Sequence, residues 1–180
     1  RLAKAAESAV ADADPEVRSQ GLQALAKVDA AAAMQLVEKG MEGGSLHEKQ
    51  GALVALSDIK SSDSSKLIAD LLDRLINQML PAEIQLDVIE AARRQGSRDL
   101  ADKVTRYEAG LSVADDLARW SIALVGGDAE RGRRIFREKI DAGCIRCHKC
   151  EIGDSQVGPD LTRIGATRDR AYLLESIVYP

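Results

Sequence analysis

From Asp12 to about Val125 the apolar positions recur every three or four residues, in short stretches separated by capping or breaking residues. That period lines one face of a helix, and the breaks predict several short helices rather than a few long ones. Asp14 is placed to cap a helix with Pro15 at its first position, after which Val17, Gly21, Ala24, Leu25 and Val28 share a face. A second helix is expected from Ala30, with Met34, Val37 and Met41, ended by Gly43-Gly44. Ser45 followed by Glu48 matches a capping box for a third, carrying Leu53, Leu56 and Ile59. The most regular stripe runs Leu67, Ile68, Leu71, Leu72, Leu75, Ile76, Met79 and Leu80, and Pro81 stops it or opens its successor. Ile84, Val88, Ala91 and Ala92 mark a fifth helix closed by Gln95-Gly96. Ser97 caps a sixth with Leu100, Val104, Tyr107 and Leu111, and a seventh carries Leu117, Trp120 and Leu124 before Gly126-Gly127.

The series repeats. Gln20-Gly21 with Ala24-Leu25 and Val28 returns about 31 residues later as Gln50-Gly51 with Ala55-Leu56 and Ile59, and Glu90-Ala91-Ala92 echoes it about 35 residues further on. Helix pairs repeating at such intervals predict an α-solenoid, with an ordinary helical bundle as the alternative. Residues 12–27, DADPEVRSQGLQALAK, resemble the first helix of a HEAT repeat, with its Asp-Pro cap, Val-Arg pair and Ala-Leu ridge. Arg18 and the other charged positions are expected on solvated faces, and His47 as a surface residue at a helix start.

Composition agrees with helices. Of 180 residues 45% are apolar, 30% charged and 3% aromatic, and no ring occurs before Tyr107, so any core there is built from Ala, Leu, Ile, Val and Met. The net charge of −4 argues against a nucleic-acid surface, which needs clustered Lys and Arg. No apolar run is long enough to span a bilayer. The chain starts at Arg1 without an initiator Met or a leader and stops at Val178-Tyr179-Pro180, which reads as a piece of a longer protein.

The text changes after Gly127. From Gly126 onward there are 10 basic and 9 acidic residues, against 15 and 20 before it, and this last stretch holds every cysteine. The expected domains are therefore 1–125 and 126–180. Cys144, Cys147 and Cys150 are too few and too clustered for a disulfide framework, and they point to a site. In Cys144-Ile145-Arg146-Cys147-His148 the spacing CxxCH would let two thiols bond the vinyl groups of one haem while the adjacent imidazole ligates iron. Other chemistries compete for the same residues. Zinc could take Cys144, Cys147, Cys150 and a histidine, although Cys147, His148 and Cys150 are crowded for a tetrahedral site. An iron-sulfur cluster lacks a fourth cysteine, and a redox dithiol lacks its preceding strand.

Residues 127–178 resemble class I c-type cytochrome domains. GDAERGRRIF is similar to their N-terminal helix, in which Gly132 would permit close helix packing and Phe136 would lie near the haem. VGPDLTRIG resembles the GPxL loop, where the Pro159 carbonyl would accept the hydrogen bond from the second nitrogen of His148 and Leu161 would pack on the ring. RDRAYLLESIV resembles the helix that follows. The order is also similar to a haem-binding domain fused to HEAT repeats in large secreted bacterial dehydrogenase-like proteins of the planctomycete and verrucomicrobial type. The resemblance thus implies an all-α chain: a HEAT-like solenoid followed by a truncated cytochrome c domain.

Two departures from the family qualify the resemblance. It covers about 50 residues, and the stretch in which the family places its sixth ligand, usually a Met, is missing; Met34, Met41 and Met79 all lie in the helical series. Cys150 is a third thiol that such domains do not usually carry, expected to be idle, with a disulfide to a partner or a spare metal ligand as the alternatives, and Tyr179 stands where relatives tend to have an acidic residue. The expected function is electron transfer by covalent haem c, with Cys144, Cys147, His148, Pro159, Leu161 and Phe136 holding the cofactor and His148 the iron. The chain has no catalytic constellation of its own. Its implied partners are an upstream dehydrogenase domain and a further electron carrier, outside the cytoplasmic membrane where haem is attached. The alternative is a HEAT-repeat interaction scaffold whose cysteine cluster is vestigial or holds a structural metal.

Overall fold

The computed structural model describes residues 2–111, 117–150 and 157–179, and the described residues form helices joined by turns and loops, with no strand among them. They fall into two compact units, Arg1–Ser112 and Val113–Pro180.

The first unit holds α1 (Leu2–Ala9), α2 (Pro15–Val28), α3 (Ala30–Gly43), α4 (Leu46–Asp58), α5 (Ser62–Ile76), α6 (Ala82–Gln95) and α7 (Arg98–Ala109). Caps set most of the boundaries. Asp14 accepts from the Glu16 N–H with Pro15 at the first turn, and Ser45 and Glu48 make both bonds of the capping box. Ser97 caps α7, and Gly96 ends α6 at φ +76°, a conformation that suits glycine. The chain departs from its periodicity at both ends of the series and within it. Helix α1 precedes the first expected helix. The stripe through Leu80 stops early, because Gln78 turns left-handed at φ 58° and the Gln78 and Met79 N–H groups donate to Leu75 and Arg74 carbonyls at 3.0 and 2.8 Å. Met79 is left exposed while Leu80 is buried.

Alternate helices pack side by side: α2 on α4, α4 on α6 and α5 on α7, with α1, α3 and α5 each also against its successor in the chain. Leu53, Leu56, Ile59, Ile68, Leu72 and Leu100 are buried almost completely, and each such side chain contributes about 1.5–3 kcal/mol. Small residues set the closest approaches. A Cβ on Gly21 of α2 would lie 2.7 Å from that of Ala9, and one on Gly51 of α4 would overlap the Ser19 hydroxyl of α2. Arg18 is not on a free solvated face: it is half-buried and bound to Glu48 of α4. Gln50 donates to the buried Asp87 carboxylate at 3.3 Å, tying α4 to α6. The Lys60 ammonium donates to the carbonyls of Ser57, Arg94 and Gln95 at 3.2–3.3 Å, joining the ends of the same two helices.

The second unit begins with a 3-10 helix, Ala118–Leu124, where periodicity predicts a seventh α-helix; residues 112–116, between it and α7, lie outside the described residues. None of its residues is buried. There follow α8 (Ala129–Glu138), the single turns α9 (Cys144–Cys147) and α10 (Ile164–Thr167), and α11 (Arg170–Val178). Helix α11 packs on the 3-10 segment, where an Arg170 guanidinium nitrogen donates to the Leu124 carbonyl at 2.9 Å, and α8 packs on α9. No described residue of this unit is buried, and Ile140, Val157 and Ile177 are each more than three-quarters exposed. Among the described residues no helix is long and apolar enough to cross a membrane.

Candidate functional site

Gly143, at φ +60°, turns the chain into α9, and the His148 N–H closes that turn on the Cys144 carbonyl at 2.9 Å. Cys144 and Cys147 are thus one helical turn apart, on neighbouring positions of one face, and His148 is the first residue past the turn. Neither these two cysteines nor Cys150 forms a disulfide.

A second segment pairs with this turn. Gly158 N–H donates to the Cys147 carbonyl at 2.7 Å, and Leu161 N–H donates to the Lys149 carbonyl at 2.8 Å. Between these two bonds the Pro159 carbonyl oxygen lies 3.0 Å from His148 Nδ1. A carbonyl can only accept, so Nδ1 carries a proton, and whenever the ring is neutral the lone pair is on Nε2. Such a bond fixes the tautomer of a metal-binding imidazole and raises its basicity. The loop is braced further by Asp160, whose Oδ1 accepts from the Thr162 N–H at 2.8 Å and whose Oδ2 lies 3.7 Å from the Lys149 ammonium. Hydrogen bonds from Thr162, aided by Lys149, hold the Asp160 carboxyl below its usual range.

The structure brings Cys144, Cys147, His148, Pro159 and Leu161 into one locus across eighteen positions of chain. Phe136 is half-buried on α8, the helix packed against α9. Gly132 makes no close helix contact, since a Cβ there would meet nothing within 4 Å among the described residues. Cys150 is half-buried next to Lys149, and residues 151–156 that follow it lie outside the described residues. Among the described residues no three His, Cys, Asp or Glu side chains gather closely enough to hold a metal ion, as a zinc site of protein ligands would require. A haem needs less from the chain: two thiols in register and one imidazole. Two thiols in register and one imidazole are the donors that haem c would take from this chain, and Ile135, Ile145 and Val157 are exposed.

Gly158 enters the sequence only as part of the GPxL-like loop, and its contact with the His148 ring is a finding of the structure. A Cβ at this position would stand 2.9 Å from His148 Cε1, 3.0 Å from its Nδ1 and 2.9 Å from the Cys147 oxygen. The signal was a glycine directly before Pro159, whose meaning depends on what the loop touches. No family model, curated protein or solved structure matches the chain.

Proposed function

We propose that the second unit is a c-type cytochrome domain that transfers single electrons through one covalently held haem, and that the first unit is a HEAT-like solenoid spacing or docking it. The observation that carries this reading is the 3.0 Å contact of His148 Nδ1 with the Pro159 carbonyl, directly after a turn that presents two thiols. Cys144 and Cys147 would bond the cofactor, and His148 Nε2 would ligate its iron. When bound, haem supplies an iron that cycles between ferric and ferrous states. The Pro159 carbonyl would hold the imidazole in one tautomer, and apolar side chains, among them Leu161 and Phe136, would cover the ring. The stacking of α2 on α4 and α4 on α6, at the intervals where the sequence repeats, supports the solenoid reading.

In this reading the unit accepts electrons from a dehydrogenase, as an upstream part of a larger polypeptide, and passes them to a separate carrier. It works outside the cytoplasmic membrane. The test is expression of the chain behind a secretion signal together with haem-attachment machinery. A red protein with one haem mass that survives denaturation, and with visible bands that change on reduction, is the expected result; a colourless protein with three titratable thiols overturns the reading.

A further inference from the structure

Helix α1 is not packed on α3 as α5 is on α7. The space left between the end of α1, α2, α3 and the start of α4 is a cavity of about 440 Å³, within the size range of small-molecule sites. Helix α3 turns Leu36, Lys39, Gly40 and Gly43 to it, at the spacing that aligns positions along one helix face. Packing does not require glycine at 40 or 43. A Cβ on Gly40 would make ordinary contacts, 3.7 Å from the Ala52 Cβ and 3.9 Å from the Glu48 carbonyl oxygen, and one on Gly43 would meet nothing within 4 Å. Glycine inside a helix is less stable than alanine, so Gly40 gives up stability and, with Gly43, keeps the cavity open.

The polar lining has unspent donors and filled acceptors. Arg18 uses four N–H groups, two on Glu48 and two on the Asp12 and Ala13 carbonyls, and keeps one on Nη2. Ser19 is buried; its oxygen accepts from Gln23 Nε2 at 3.4 Å, and its proton meets no acceptor among the described residues. The Lys39 ammonium has no partner among them either. By contrast each Glu48 oxygen already takes two hydrogen bonds, one from Arg18 and the other from Ser45. Arg18, Lys39 and Glu48 leave the lining with one net positive charge, beside the apolar side chains of Val10, Leu22 and Leu36. We propose that this cavity binds a free monocarboxylic acid with an apolar tail, its carboxylate accepting from Lys39, Ser19 and Arg18 and its tail lying on Val10, Leu22 and Leu36. An amino acid or a peptide would bring N–H donors for which Glu48 has no open lone pair. The site belongs to the first unit and is independent of the haem reading.

The test is titration of the full chain with hexanoate, read as amide chemical shifts. Saturable shifts of Leu36, Gly40 and Gly44 are expected, while 1-hexanol, which lacks the charge, should bind about tenfold more weakly. Lys39→Gln should weaken hexanoate binding about threefold or more. Gly43→Leu, whose side chain enters the open space, should weaken it about tenfold or more. Lys39 is exposed, so its variant keeps the fold even where Gly43→Leu does not, and then decides the matter by itself. The proposal is overturned by no saturable shift up to about 10 mM hexanoate, by shifts confined to the second unit, or by equal affinity for hexanoate and hexanol. An unchanged affinity in Lys39→Gln overturns it as well.

Discussion

Arg18 on α2 holds Glu48 on α4 with two nitrogens, Nε at 3.0 Å and Nη2 at 2.8 Å, while Nη1 donates to the Asp12 and Ala13 carbonyls at 3.0 and 2.8 Å. Glu48 also accepts the Ser45 hydroxyl at 2.7 Å and the Ser45 N–H at 3.0 Å. One carboxylate therefore closes a helix cap and joins two helices.

These bonds, Ser45 first and Arg18 after it, hold the Glu48 carboxyl at about 2, below its ordinary 4.5. A lowered value means the contribution to stability is complete above pH 4.5 and is lost as the pH falls toward 2. Glu48→Gln is expected to cost about 1 kcal/mol at pH 7, discounted for a pair about 30% exposed. Urea denaturation at pH 7 and pH 3 checks it: the stability gap between the two pH values should be smaller in the variant than in the parent.

The contact between α2 and α4 also depends on Gly51. Gly51→Ala should cost about 1–3 kcal/mol, since its Cβ would overlap the Ser19 hydroxyl and lie 2.9 Å from the Ser19 Cβ. Gly43→Ala, at the open last position of α3, should be neutral or stabilising by up to about 1 kcal/mol. Thermal denaturation of the pair separates a packing requirement from a general effect of removing glycine.

The two units should differ in protection from hydrogen exchange. Unit Arg1–Ser112 has a buried aliphatic core, whereas no described residue of Val113–Pro180 is buried. Without haem, amides of α8 and α11 should exchange far faster than those of α4 and α6. Haem attachment should slow α8 and α11 at least about tenfold, the equivalent of about 1.4 kcal/mol. Equal rates before and after attachment would show that the apolar side chains of this unit do not pack on the cofactor.

Thiol substitutions should separate the three cysteines. The double variant Cys144→Ser/Cys147→Ser is expected to retain no haem mass after denaturation. Cys150→Ser should attach haem to within about twofold of the parent, because the two-thiol turn ends at Cys147. Mass spectrometry of the denatured chains reads both, and a loss of attachment in Cys150→Ser would assign the third thiol a part in the site.

Much of the first unit was legible in the chain. Asp14, Ser45, Ser97 and Gly96 act on groups within four residues of themselves, so the helix boundaries they set could be read locally. The stripe through Leu80 misled because periodicity says nothing of where a left-handed residue such as Gln78 closes the last turn. At the site, the spacing of Cys144, Cys147 and His148 is covalent and needs no fold to be seen. Arg18 was misread for the opposite reason: its partner Glu48 is thirty positions away.

The amino-acid order alone thus dictated helical pitch, caps and the two-thiol turn, because those arise between near neighbours and survive in any arrangement of the rest. It could not dictate which residues meet after the chain has closed on itself. Only the tertiary structure set Gly51 against Ser19, and Gly158 against the His148 ring. A glycine is an absence of atoms, and what that absence admits depends on what stands beside it. The tautomer of His148 follows from the same fact, since a carbonyl eleven positions away takes the Nδ1 proton and leaves Nε2 the lone pair whenever the ring is neutral.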